Sequence, residues 1–495
     1  MSNATNETTL LLGGAVITVD EERRILDPGA VAVEGDRIVA VDDRDTIQAE
    51  YSGDEVVELE NAVLLPGLVD SHGHAGHGFT KGLGGGPGTA WMSAVDDVYF
   101  HASTEEFWEA ESYLSALEHV GMGVTTSLSY PGSYPRVDDP KYAEAAARGY
   151  ADLGLRHVVN LGPPDPPYPK SYTDAATGAT READLDDAIE TTAAVIDELD
   201  GTEDGRISAF VGPSSLVPEV VSDGEVRQTG LIGGGAFEPA EGDASETSIE
   251  QLEKVLELAE SKGVNVHTHA FGGQVRAAAE AVPEILGPHL SLAHCAGLTE
   301  RELEIMAEHD VSASHGPLTH AYALSRFPVV EAMEAGVNVA ISTDGAAPDR
   351  SFDLLSQGRV GAQLQRVHFN DIDVMPSGKV LEMMTIDAAE SLGMADEIGS
   401  LEPGKQADVV AIDLDAAGLR PRTSLLHRIV HYASGNDVEF VMVDGEVLLR
   451  DDEPVDVDTR EILERADEVA LETFEAAGVL EEVETHSNTW GEVRY

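Results

Sequence analysis

Residues 69–75 read VDSHGHA, residues 266–270 read VHTHA and residues 342–347 read STDGAA. Each string ends a short apolar run of the buried-strand type and presents metal-type ligands where that run meets a loop. His72 and His74 are two positions apart, so strand alternation puts both imidazoles on one face. A third imidazole, from His267 or His269, and the Asp344 carboxylate complete a set of nitrogen and oxygen donors. Neutral imidazole and carboxylate suit a divalent transition metal, zinc first, with iron, manganese and nickel as alternatives. One such ion at strand ends, with a position open to water, points to hydrolysis.

The three strings fall in a regular alternation. Candidate strands run through AVLLPGLVDSH and through residues 123–129, 155–162, 206–213, 263–270, 290–296, 311–317 and 338–345. Helical stretches such as TEEFWEAESYLSALEHVG fill the gaps. SIEQLEKVLELAESKG reads as a helix with a capping box from Ser248 to Gln251 and a stop at Gly263. Eight such units predict an α/β fold, a (β/α)8 TIM barrel, whose chemistry sits at the C-terminal strand ends. The histidines and Asp344 fall at those ends.

Both ends of the chain are strand-like, and VDGE inside residues 438–452 is a hairpin signal. The expectation is a composite β-sandwich built from residues 1–65 and 398–455, a hydrolase barrel over 66–397, and a C-terminal helix and tail over 456–495. The glycine-rich GFTKGLGGGPGTAW reads as a mobile loop at the site, because its glycines do not join a strand to a helix start as a phosphate loop requires. Residues 162–180 read as a proline-rich irregular loop.

The 495 residues carry 30 Lys+Arg against 92 Asp+Glu, a formal net charge of −62. That balance argues against a nucleic-acid surface. The acids are spread between ordinary apolar segments, so disorder is not the explanation. Near-molar salt is: there the Debye length falls to about 3 Å and like charges barely repel. A halophile protein is expected. The single cysteine, Cys295, excludes an intrachain disulfide. The N-terminus lacks the pattern of a signal peptide and no apolar run approaches a membrane span, so the expected location is cytoplasmic, with no membrane partner.

NAVLLPGLVDSHGHAGHGFTKGL, LSLAHCAGLTERELEIMAEHDVSASHGP, EAMEAGVNVAISTDGAAPDRSFDLL and GSLEPGKQADVVAID resemble the amidohydrolase superfamily. The likeness is greatest to its branch of cytosine/guanine deaminases, S-adenosylhomocysteine deaminase-like enzymes and triazine hydrolases. It covers residues 10–450 or so. The resemblance implies that His72, His74, His269 and Asp344 bind the metal. It implies that Asp344 takes a proton from the attacking water and that His294 polarises the water or the reacting group. A bridging lysine, as in two-metal members, is absent from AFVGPSSL at the fourth strand, with Lys170 and Lys254 well outside it, so one ion is expected. A homodimer or larger oligomer is also implied.

Two positions depart from the branch. The glutamate usual three residues after the fifth-strand histidine is Gly272, and a histidine usual after the fourth-strand GP is Ser214. Both changes count against a nucleobase or nucleoside substrate. They leave the proton route open between Asp344 alone and a path using His267, His315 or His320. His267, His77, His315 and His320 are the candidate substrate contacts. The nine other histidines read as structural, and Cys295 as a core residue. The expected function is metal-dependent hydrolysis of a non-peptide C–N bond in a small nitrogen-containing substrate. The alternatives are loss of a halide or alkylamine from a heteroaromatic ring, and a non-catalytic barrel acting as a binding or assembly module.

Overall fold

The computed structural model describes residues 7–83, 89–133, 135–232, 236–238 and 240–480. Eight parallel strands form the central sheet: β1 Leu68–Ala75, β2 Val124–Pro131, β3 Arg156–Leu161, β4 Ile207–Val211, β5 Val266–Phe271, β6 Leu290–Ala296, β7 Ser312–His315 and β8 Val339–Ile341. They lie in sequence order. Between β8 and β1 the seam is joined by local bonds. Asp344 N donates to His72 O (3.0 Å) and Thr343 N to the Asp70 carboxylate (2.9 Å).

The buried faces of these strands explain the long apolar runs, since parallel strands are covered on both sides. Val69, Leu128, Val158, Phe210 and Ala340 pack with Ala388, Ala389, Leu392 and Ile398 in one cluster. The segment after Met384 therefore plugs the N-terminal end of the barrel, with Val69 N donating to Met384 O at 2.9 Å. Chemistry is left to the opposite end, where β1, β5 and β6 deliver their histidines.

The run AVLLPGLVDSH is not one strand. It splits at Gly67 into Glu55–Pro66, which belongs to the terminal sheet, and β1. A Cβ at Gly67 would overlap the Thr125 side chain, so the chain can pass here only without one. The terminal sheet has nine strands, and Glu55–Pro66 pairs with Thr8–Ile17 on one side and Val409–Asp413 on the other. Both ends of the chain thus close on one core, which includes Leu11, Val31, Leu64, Val409, Phe440 and Met442.

Two local expectations are corrected. The helix Glu246–Lys262 begins before Ser248 and is capped by Ser245, whose side chain accepts from Ser248 N. Ser248 instead bonds Glu219 O at 2.8 Å. Gly263 does end the helix, at φ 72°. Residues 162–180 are not wholly irregular, because Lys170–Asp174 and Ala179–Ala183 pair as a hairpin. Residues 84–88 of the glycine-rich stretch and the tail from 481, with His486, lie outside the described residues. The C-terminal helix Thr459–Ala477 packs on Glu105–Gly121. No described helix is long and apolar enough to cross a membrane.

Candidate metal centre

Five side chains converge at the C-terminal end of the barrel. His72 Nε2 and His74 Nε2 each lie 3.2 Å from Asp344 Oδ1. His269 and His294 face the same point, and ligand atoms of His72, His269 and His294 also lie within 4.8 Å of one another. His72 belongs to both groups, so the described residues offer one centre rather than two.

The second nitrogen of each candidate ligand is already committed. His72 Nδ1 meets His267 Nε2 at 2.9 Å, His74 Nδ1 meets Gly132 O at 2.9 Å, and His269 Nδ1 meets Ser214 O at 2.6 Å. A carbonyl acceptor fixes Nδ1 as the protonated atom of His74 and His269, which leaves Nε2 with its lone pair. For His72 the same tautomer follows if the proton chain runs through His267 to Ser291 Oγ, 2.7 Å from His267 Nδ1. The donor set of three imidazoles and one carboxylate fits a divalent ion of the zinc type.

Backbone geometry aims two of the five. The pairing of β5 with β6 shifts register after Ala270–His294, so Cys295 is an extra residue. His294 and Cys295 both have positive φ, 67° and 52°. Left-handed backbone is costly for such residues, and a bulge there re-aims a side chain. His294 is turned to the centre, while Cys295 is fully buried and burial raises its thiol pKa. Asp344 is also left-handed, at φ 58°. Its neighbour Thr343 is clamped by Asp70 through both N–H and hydroxyl, and Gly345 N donates to Thr343 Oγ1 at 3.0 Å.

Burial by itself would raise the Asp344 carboxyl. The Arg350 guanidinium, His294 and the hydrogen-bonded His72 and His74 outweigh it and hold the group well below the usual carboxylate range. Oδ2 accepts from Thr319 Oγ1 at 2.6 Å and from Arg350 Nη1 at 2.7 Å. Sequence reasoning missed Arg350, Thr319, Asp70 and Thr343. A signal for Arg350 exists in hindsight: it is a lone cation, six residues beyond Asp344, in a loop of an acid-rich chain.

The candidate substrate contacts divide. His267 has both ring nitrogens engaged, by the candidate ligand His72 and by Ser291. His77 lies 4.9 Å from the His74 ring, centroid to centroid, and its Nε2 meets Ser133 Oγ at 3.1 Å. His315 and His320 stand 4.8 Å apart on the β7 side, and His315 has no partner for either nitrogen. Ser214 Oγ is buried without a partner.

Gly272 is tightly constrained. A Cβ there would drive into the carbonyl oxygen of Gly297, which is backbone and cannot rotate away. Gly272→Glu is therefore expected to cost about 1–3 kcal/mol of stability through overpacking, and to gain no deaminase activity. Denaturant titration with parallel ammonia assays checks this; a stable variant with new activity would contradict it.

Burial lowers the pKa of His72, His267, His294 and His315 well below 6.5, and that of His269 and His320 to about 4. The unfolded chain then binds more protons than the folded one below pH 6.5. Stability is fully present above about 6.5 and drains away as the pH falls toward 4, at up to about 1.4 kcal/mol per pH unit for each such group. Thermal melts of metal-free protein across this window should show a steady fall; a flat profile would contradict the neutral assignment.

The fold and this convergence define a class. The chain matches the Amidohydrolase family over residues 63–448, and it belongs to that family. It is a hydrolase of that family. A short match to an imidazolonepropionase-like composite domain of bacteria covers residues 29–51. Among curated relatives, the 5'-deoxyadenosine deaminase of Methanopyrus kandleri is 29% identical over 93% of this chain and 98% of its own. The 5-methylthioadenosine/S-adenosylhomocysteine deaminase of Moorella thermoacetica is 29% identical over 88% of this chain and 94% of its own. In solved structures, a zinc-bound adenosine deaminase from Xanthomonas campestris superposes with TM-score 0.77 at 23% identity, covering 94% of this chain and 98% of that one. The zinc complex of atrazine chlorohydrolase from Arthrobacter aurescens gives 0.74 at 20% identity, covering 93% and 100%.

Proposed function

We propose that the protein is a metal-dependent hydrolase of a non-peptide C–N bond, of the deaminase type, acting on a small nitrogen-containing molecule. The observation that carries this is the convergence of the His72 and His74 Nε2 atoms on Asp344 Oδ1, with His269 and His294 alongside and the far nitrogens of His72, His74 and His269 committed. In this reading His72, His74, His269 and Asp344 hold one divalent ion, zinc by preference. The ion's contribution is to acidify water and polarise the bond attacked. His294, buried and kept neutral, orients the reacting oxygen. Asp344 takes the proton and returns it to the leaving nitrogen. His77, His315 and His320 line the substrate side.

The deaminase relatives support release of ammonia, and those named above act on adenosine derivatives by their names. One observation favours a second reading, loss of a halide or alkylamine from a heteroaromatic ring. Position 272 carries no carboxylate and has no room for one on this backbone. We place the enzyme in the cytoplasm of a cell with concentrated internal salt, on the strength of a net charge of −62.

The test is metal analysis on protein kept in near-molar salt, with ammonia assays across purines, pyrimidines, pterins and cyclic ureas. One ion per chain, chelator-sensitive ammonia release and recovery on adding zinc are expected. Protein without stoichiometric metal and indifferent to chelator would overturn the reading. Stoichiometric metal with chloride or amine release and no ammonia would select the second one.

A further inference from the structure

Two neighbouring helices lack the acids that mark the other outer helices. Residues 354–370 (LLSQGRVGAQLQRVHFN) and 416–436 (AAGLRPRTSLLHRIVHYASGN) contain no Asp or Glu, in a chain with 92 of them among 495 residues. They form the helices Leu354–Phe369 and Leu425–Tyr432, which pack against each other. The helices Glu105–Gly121, Leu185–Leu199 and Glu246–Lys262 carry five acids each. Burial does not explain the difference. Val367 is 80% exposed, Ile372 82% and Tyr432 57%, and Phe369 is exposed as well. An apolar patch on a surface that otherwise depends on carboxylates for solubility marks an interaction site.

Side-chain contacts tie these residues into one face. Ser377 Oγ meets His427 Nδ1 at 3.2 Å, the His427 and His431 rings stand 4.4 Å apart, and Arg366 Nη2 meets His431 Nε2 at 3.5 Å. The Arg428 guanidinium lies 5.6 Å from the Tyr432 ring. Arg366 also donates to Val374 O (3.0 Å) and Met375 O (3.1 Å), which holds the turn bearing Ile372 against the same place. The cations here differ from those elsewhere. Among the described residues, every Lys and Arg lies within ion-pair distance of a carboxylate except Lys170, Arg227, Arg359, Arg366 and Arg428. The last three belong to this face and bond backbone carbonyls instead, Arg359 that of Ala433 and Arg428 that of Thr423. Burial first, then the positive neighbours His427, Arg366 and Arg359, lower the His431 pKa to about 4. On the same turn Asp371 and Asp373 are exposed on either side of Ile372, and neither pairs with a Lys or Arg among the described residues.

We propose that a second copy of this chain covers this face in an isologous dimer, with Val367, Ile372 and Tyr432 at the centre and Asp371 and Asp373 of each copy meeting Arg366 and Arg428 of the other. The face is self-complementary in the way a two-fold contact requires, because it carries both unpaired carboxylates and guanidiniums without carboxylate partners. Its composition is that of an interface core, enriched in Tyr, Phe and Arg and depleted in acids. A net charge of −62 on each copy does not oppose the contact in near-molar salt, where charges more than about 3 Å apart are screened. Left in water, the face would lack the hydrated carboxylates that keep the other outer helices soluble.

The test is sedimentation velocity on the full-length protein in concentrated potassium chloride. The wild type is expected to be a dimer. Val367→Asp with Ile372→Asp should weaken association about a hundredfold or more, as loss of a central anchor does, with the thermal melt of the folded chain little changed. Asp371→Asn with Asp373→Asn should weaken it less, because salt screens exposed ion pairs. Val226→Asp, at another exposed apolar position, should leave the dimer intact. A second measurement uses the chain's single cysteine, Cys295, which is fully buried. A cysteine introduced by Ile372→Cys is then the reactive thiol, and a short bis-maleimide should couple two copies through it but not through Val226→Cys. A monomeric wild type overturns the proposal, as does a dimer that survives Val367→Asp with Ile372→Asp, or one that couples through Val226→Cys and not Ile372→Cys. A monomer in which the Ile372→Cys thiol is protected from maleimide would give the face to residues 481–495 of the same chain, and that too overturns it.

Discussion

Asp344→Asn is expected to lower kcat by about 10³-fold or more, with the folded barrel preserved. The asparagine keeps the volume and can still meet Thr319, so the local packing survives. It loses the negative charge that faces His72 and His74 Nε2 at 3.2 Å and that pairs with Arg350 at 2.7 Å. Both proposed duties of the carboxylate, holding the ion and carrying the proton, depend on that charge. A weaker effect is expected one layer back. His267→Phe leaves His72 Nδ1 without its acceptor, and loss of such a partner typically costs about 10–100-fold in metal affinity or activity. Steady-state rates with metal content measured on the same samples check both. An Asp344→Asn enzyme within tenfold of wild type would remove the carboxylate from the chemistry.

The largest stability effect is expected at Arg136. Its side chain is 0% exposed and lies 3.8 Å over the Tyr142 ring. Nε donates to Asp138 at 2.7 Å, Nη1 to Tyr99 O at 3.1 Å, and Nη2 to Tyr142 OH at 2.9 Å and to Thr173 O at 2.8 Å. One guanidinium thereby ties the helical turn around Tyr99 to the loop after β2 and to the hairpin Lys170–Asp174. Arg136→Met fills similar space but strands the Asp138 carboxylate, whose side chain is 1% exposed. Breaking a buried pair by removing one member costs about 3–5 kcal/mol. Denaturant unfolding in concentrated salt should show that loss. Adding Asp138→Asn should recover part of it, because the second change removes the uncompensated charge.

Much of this architecture was legible before any coordinates. The barrel strands announce themselves as short apolar runs at regular spacing. The candidate ligands stand out because His72 and His74 obey strand alternation and Asp344 follows the last strand. Family likeness favours His269 over His267 as a candidate ligand, and in the structure His267 Nε2 is paired with His72 Nδ1. What the strings could not show was contact across the seam. Asp70 on Thr343 joins residues 273 positions apart, and no local pattern encodes it. The bulge at Cys295 was hidden for a similar reason, since LSLAHCA reads as an unbroken strand until its pairing with β5 is known. Ser248 was misread because Ser245, three residues earlier, competes for the same capping role.

Zinc-edge X-ray absorption on the purified protein reads the proposed ligand set itself. One ion per chain with three imidazole nitrogens and carboxylate oxygen at about 2.0–2.2 Å is expected, with loss of the oxygen ligand or of the ion itself in Asp344→Asn. A sulfur neighbour, fewer than three imidazoles, or a shell unchanged by that substitution would contradict it.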